Sequence, residues 1–338
     1  MRSQWKRIRY RLEWIGLLAA AKLIPLFSRK ACLRFARMLG TLISIFDRHR
    51  RKVALSNLEV AFSNRFSIDE RRNIVRESFQ HFARTMLDFL WSPRLTPENF
   101  SRYIELHNFE ETARGTGPER GLIVACYHYS NFEWLSLACG FAGLTSMIIA
   151  QEFKNSLLNP IFKTIREQAG HELIPRERGI VRLYKVLRRQ GGTTALLVDL
   201  TVRPRQGAVV IDCFGLKTSV TSAHAWLHEQ TGAPIVPAHC EPLPNGRYRL
   251  IFHPKIDNIA GMTHQQVAQA CWDSFEPYVR KNPAPWLWMY KYWRYRPANP
   301  DRLYPFYSHD APRFEEILQR DQDNSVEGTS SAESASFE

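Results

Sequence analysis

Six cysteines, at positions 32, 126, 139, 213, 240 and 271, are scattered through 338 residues with no CxxC pair and no cysteine–histidine cluster at metal-ligand spacing. That argues against a structural zinc site, so no metal is expected, and the thiols read as reduced in a cytosolic setting. No segment repeats at a solenoid period, which excludes a repeat array. No helix-turn-helix, zinc or RNA-binding signature is present, so no nucleic-acid partner is expected. A secure spanning helix needs ~20 predominantly apolar residues, and the amino-terminal apolar stretch Leu12 to Phe27 is broken by Glu13, Lys22 and Pro25.

What the chain has in excess is positive charge. The formal charge is +13, and residues 319–338 carry a net −4, which leaves +17 on the rest. Such a body seeks anionic surfaces, and charge alone does not separate nucleic acid from lipid headgroups. Aromatic placement leans towards lipid. Basic residues alternate with Trp, Tyr and Phe in Trp5 to Trp14 and in Trp286 to Trp293, a composition suited to a boundary with one wet and one apolar side.

Three readings of the amino terminus compete: a signal peptide with Ala19 to Ala21 as its cleavage region, a marginal transmembrane helix, or an interfacial helix lying among the headgroups. Glu13 inside the apolar stretch speaks against the first. A second apolar helix, Ala31 to Phe46, ends in the charged run Asp47 to Lys52, and the two together suggest a membrane-docking hairpin. The plainer alternative is a pair of ordinary core helices.

From Val53 to Trp91 apolar residues recur at helical spacing, with Ser67, Asp69 and Glu70 as an amino-terminal cap. Prolines in Ser92 to Glu98 end this helical region, and Phe100 to His107 suits a short strand. After Arg120 the pattern changes to strand-length apolar runs separated by helical patterns: Gly121 to Tyr127, Ser146 to Ala150, Thr194 to Asp199 and Ala233 to His239. This is the mark of a largely parallel sheet. Val209 to Phe214 and Tyr248 to His253 are further candidates, the latter preceded by the turn residues Pro244, Asn245 and Gly246. The expected fold is α/β, a central mostly parallel sheet flanked by helices, with an amino-terminal helical membrane-docking region. The expected divisions are 1–115 for that region, 116–318 for the α/β domain and 319–338 for a disordered acidic tail.

The segment Gly121 to Trp134, GLIVACYHYSNFEW, carries the chemistry. An apolar strand runs into His128, and the cap residues Ser130 and Asn131 announce a helix with Glu133 in its first turn. Inside one helix a separation of five residues would set the two side chains about 140° apart, whereas a strand-to-helix turn can bring them together. A carboxylate bonded to one imidazole nitrogen fixes the tautomer and makes the other nitrogen a stronger base towards an alcohol. The bland reading is a satisfied core histidine and an ordinary first-turn acid.

HYSNFEW resembles the H-x4-E block of the bacterial lipid A late acyltransferases, the lauroyl and myristoyl transferases, within the wider glycerolipid acyltransferases. Asn57, Leu58, Ala61 and Phe62, then Glu70 to Arg72, Phe79 and the acid Asp88, resemble the family's preceding helical segment. Lys154, Asn155, Pro160, Gly170 to Arg176, Leu196 to Asp199, Cys213 to Thr218, Thr231 to Pro237 and Trp286 to Arg294 follow in the family's order. Departures include Tyr129, Ser130, Asn131 and Phe132 where aromatic-Gly-Asn-Trp is usual, Thr221 to Ala223 for Pro-Thr-Gly, and Tyr290 where histidine is common.

The resemblance implies transfer of a fatty acyl chain from acyl carrier protein, or from coenzyme A, to a hydroxyl of a lipid A precursor in lipopolysaccharide biosynthesis, at the cytoplasmic face of the inner membrane. No cofactor is implied beyond the acyl donor. It makes His128 the base, Glu133 its orienting partner and Arg176 a holder of an anionic group, for which a guanidinium suits phosphate. Lys154, Arg203 and Arg205 are candidates for phosphate or carrier contacts, or solvated surface charges. Asp199, ending an apolar strand, either supports the dyad, binds substrate or caps a helix. Two alternatives stand beside this: another membrane-lipid acceptor (lysophospholipid, phosphatidyl sugar or aminolipid), and a non-catalytic membrane-binding scaffold.

Overall fold

The computed structural model describes residues 2–115, 121–150, 152–259 and 261–320. The acidic tail expected to be disordered lies, from 321 onwards, outside the described residues, while 312–320 form a final helix.

Four helices open the chain: α1 (Arg2–Leu23), α2 (Arg29–Phe46), α3 (Arg48–Phe62) and α4 (Ile68–Trp91). Their boundaries follow local chemistry. The Ser28 side chain caps α2 and Asp47 caps α3, and Ser67 with Glu70 forms a reciprocal capping box at α4, each accepting from amides that a helix start leaves unpaired. None of the described helices is long and apolar enough to cross a membrane.

The remainder alternates strands and helices: β1 (Ile104–His107), α5 (Phe109–Gly115), β2 (Leu122–Cys126), α6 (Phe132–Phe141), β3 (Ser146–Ala150), α7 (Asn159–Glu167), β4 (Glu172–Pro175), α8 (Gly179–Gln190), β5 (Thr193–Leu197), β6 (Ala208–Cys213), β7 (Leu216–Thr221), α9 (Ala223–Thr231), β8 (Ile235–Pro242), β9 (Tyr248–Phe252) and α10 (His264–Lys281). Among the described residues seven strands form one sheet in the order β1-β9-β8-β2-β5-β3-β4. Every neighbouring pair is parallel except β8 with β9, which the turn at Pro244 to Gly246 joins as an antiparallel hairpin. The mostly parallel α/β sheet is thus as expected. Sequence periodicity missed β4 and β7, and β6 pairs with β7 in a separate antiparallel ribbon. β1, amino-terminal to residue 115, belongs to the main sheet through β9.

Central strand β2 is buried throughout, and its side chains alternate between two cores. Ile123 and Ala125 face a core with Leu227 of α9 and Trp272 and Phe275 of α10. Leu122, Val124 and Cys126 face another with Trp91 of α4 and Trp134 and Leu137 of α6. Helices covering both faces leave the carboxyl ends of the parallel strands as the place where a site can form.

Candidate active site

The site grows from the turn between β2 and α6. Asn131 caps α6, its side chain accepting from the Trp134 amide at 3.0 Å. Ser130 takes a left-handed conformation, φ 51°, a conformation that favours glycine, which is the usual residue at this point of the motif. It is held there from two sides, its amide donating to the Pro285 carbonyl at 2.9 Å and its carbonyl accepting from Thr85 Oγ1 at 2.9 Å. This reversal sets His128 at the strand's tip, with its ring packed edge-on against Phe132, centroids 4.9 Å apart.

The partner of His128 is Asp199. Nδ1 lies 2.8 Å from Asp199 Oδ1, and the His128 backbone amide donates to Asp199 Oδ2 at 3.0 Å. Trp286 Nε1 donates to the same Oδ2 at 3.0 Å. The Asp199 side chain is wholly buried and the imidazole slightly exposed. Strand register explains the meeting: Cys126 of β2 pairs with Leu197 of β5, and each chain continues by two residues, to His128 and to Asp199. A carboxylate only accepts, so Nδ1 carries the proton and Nε2 keeps a free lone pair.

The expected bond between His128 and Glu133 is corrected here. Glu133, buried in the first turn of α6, faces α7, where Arg166 grips it as a fork with Nε to Oε2 at 3.0 Å and Nη2 to Oε1 at 2.6 Å. A bidentate guanidinium outcompetes an imidazole for both oxygens. Arg166 itself lies beside the stacked rings of Phe89 and Phe162, 5.6 and 5.5 Å from their centres. The aromatic run Trp286 to Trp293 is also corrected: Trp286, Trp288, Tyr292 and Trp293 are core residues rather than a boundary facing lipid. Trp286 stacks on Tyr292 at 3.9 Å, and its indole completes the shell around Asp199.

The other candidates lie after the carboxyl ends of the neighbouring strands: Lys154 beyond β3, Arg176 next to the end of β4, Arg203 and Arg205 beyond β5. All four are exposed, and none has a carboxylate partner among the described residues. Asn155, beside Lys154, is buried and donates to the Tyr10 carbonyl at 2.9 Å and to Glu13 Oε2 at 3.0 Å, tying the loop after β3 to α1. Cys126, near the base in sequence, is no nucleophile, because burial holds its thiol well above its ordinary pKa. No group of His, Cys, Asp and Glu among the described residues is arranged to hold a metal.

A strand-tip histidine backed by a buried carboxylate, in an H-x4-E sequence on a mostly parallel sheet, is the framework of an acyltransferase. Residues 2–295 match the bacterial lipid A biosynthesis acyltransferase family, and the chain belongs to it. It is 22% identical to the lipid A biosynthesis palmitoleoyltransferase of Escherichia coli K12, over 88% of this chain and 95% of that protein. It is also 22% identical to a phosphatidylinositol mannoside acyltransferase of Mycolicibacterium smegmatis, over 65% of this chain and 72% of that one. With the corresponding enzyme of Mycobacterium tuberculosis H37Rv the identity is 29% over 51% and 54% of the two chains.

Proposed function

We propose that this acyltransferase moves a fatty acyl group from a thioester, carried by acyl carrier protein or coenzyme A, onto a hydroxyl of a lipid A precursor at the inner face of a bacterial inner membrane. The single observation that carries the mechanism is the 2.8 Å contact between His128 Nδ1 and Asp199. Nε2 takes the proton of the acceptor hydroxyl as its oxygen attacks the thioester carbonyl carbon. The tetrahedral adduct collapses, the carbon–sulfur bond breaks, and the leaving sulfur receives the proton from Nε2. Asp199 stabilises the imidazolium that exists between the two transfers. Glu133 supports the site by holding α6 to α7 through Arg166. Arg176, Lys154, Arg203 and Arg205 supply cations for phosphate on acceptor or donor.

Docking of the amino-terminal helices at the membrane surface fits the exposure of Trp5, Leu12, Leu26, Phe35, Met38 and Phe46 beside many cations. A second reading, favoured by the mycobacterial relatives, has a phosphatidyl sugar as acceptor. One assay separates the two: purified protein, acyl carrier protein loaded with a radiolabelled acyl chain and a panel of lipid acceptors, with products resolved by mass. Label on a lipid A precursor supports the first reading, and label confined to phosphatidylinositol mannosides the second. His128→Ala is expected to abolish transfer while retaining the fold, and full activity in that variant would reject the base.

A further inference from the structure

Two cationic segments that lie far apart in the chain meet in a second cleft. The start of α3 supplies Asp47, His49 and Arg50, and the stretch after the buried tryptophans supplies Tyr290, Lys291 and Arg294, around a cavity of about 390 Å³. Asp47 is internally committed: it caps α3 by accepting from the Arg50 amide at 2.9 Å and pairs with the Arg50 guanidinium. These bonds, the backbone one first, hold its carboxyl below the ordinary range. Lys291 and Arg294 have no carboxylate partner among the described residues, so the cleft keeps two uncompensated cations.

Two features give this cleft an occupant. Asp47 follows Ile45 and Phe46, which are 51% and 78% exposed, so an apolar tip stands beside the cations, an arrangement that matches a lipid headgroup joined to its acyl chains. On the inner side, Tyr290 donates from its hydroxyl to the Thr201 carbonyl at 3.2 Å, two residues beyond Asp199, so the cleft abuts the loop that leaves the active site. We propose that this cleft is a phosphate-binding subsite, in which Lys291 and Arg294 hold the headgroup phosphate of the acceptor lipid while its hydroxyl reaches His128. The inference rests on the acyltransferase reading for its purpose, though not for its measurement.

The test is equilibrium binding of dihexanoyl phosphatidate, a soluble lipid phosphomonoester, to the full chain with no acyl donor present. Lys291→Gln with Arg294→Gln is expected to weaken binding by about tenfold or more, and the charge-keeping Lys291→Arg with Arg294→Lys by no more than about threefold. Dihexanoylglycerol, lacking the phosphate, is expected to distinguish none of the three proteins. Melting temperatures check that each variant is folded. Failure of the unaltered protein to bind phosphatidate, or equal binding by the glutamine variant, overturns the subsite. Inorganic phosphate binding as tightly as phosphatidate would assign the cleft to the free anion and overturn the lipid assignment. Weakened binding of acyl carrier protein with phosphatidate binding unchanged would assign it to the carrier instead. Because no acyl transfer is measured, failure of the catalytic reading leaves each of these outcomes legible.

Discussion

Asp199 grips His128 twice, through the ring nitrogen Nδ1 at 2.8 Å and through the backbone amide at 3.0 Å. The first contact selects the tautomer and the second fixes where the ring starts, so one buried carboxylate sets both protonation and aim. Trp286 adds a third donor on the same carboxylate.

Asp199→Asn replaces an acceptor by an amide that can present N–H to the ring and favour the wrong tautomer. The expected effect is a loss of about 10³-fold or more in kcat, with circular dichroism and melting temperature little changed. Acyl transfer kinetics check it, and a kcat within about tenfold of the unaltered enzyme would remove Asp199 from the mechanism.

The fork between Glu133 and Arg166 makes a different prediction. Glu133→Gln strands a largely buried guanidinium and should cost roughly 2–4 kcal/mol of stability. Adding Arg166→Met should recover more than half of that loss, since the stranded charge is then gone. Chemical denaturation of both singles and the double measures the coupling. Additive losses would show that the two side chains act independently.

Membrane attachment through the α2 tip is tested at Phe46, 78% exposed. Phe46→Ser is expected to lower partition onto vesicles of mixed phosphatidylcholine and phosphatidylglycerol by about tenfold, the cost of one aromatic side chain no longer buried. Co-sedimentation measures it, and unchanged partition would place the membrane contact elsewhere.

His224 gives the fold an acid limit. It is 1% exposed, neither ring nitrogen has a hydrogen-bond partner among the described residues, and burial first, then nearby His264, pushes its pKa from 6.5 down to about 4. The folded-state value is depressed, so the unfolded chain takes up the proton first. Stability is whole above pH 6.5 and is lost as pH falls from 6.5 towards about 4. At ~1.4 kcal/mol per unit the loss approaches roughly 3 kcal/mol. His224→Leu is expected to flatten the melting-temperature profile across that window, and an unaltered slope would mean that other groups set it.

Much of the site was legible because its signals are local. The apolar run of β2, the cap at Asn131 and the first-turn acid all fall within fourteen residues, and the strand, the turn and the helix appear where they were expected. The sequence leaves Asp199 open between supporting the base, binding substrate and capping a helix, because the choice depends on which strands lie side by side. Asp199 is 71 residues from His128, and only the adjacency of β2 and β5 shows that both stand two residues past a register pair. Local sequence points Glu133 at the histidine because its real partner, Arg166, reaches it from a helix 33 residues on. Trp286 to Trp293 misled through composition alone, since aromatics between cations describe a buried wall with charged edges as well as they describe a membrane face.

Asp88 lies in the core below the turn that bears the base. Its carboxylate binds Arg29 of α2, with one contact at 2.8 Å, and the Tyr248 hydroxyl of β9, and it accepts at 3.0 Å from the side chain of Asn131. An amide three places beyond His128 and a guanidinium on the second helix therefore hang from the same hook. One buried acid thus joins the second helix, an edge-side strand and the turn beneath the proton-accepting ring, so the amino-terminal helices and the catalytic turn share a single anchor point.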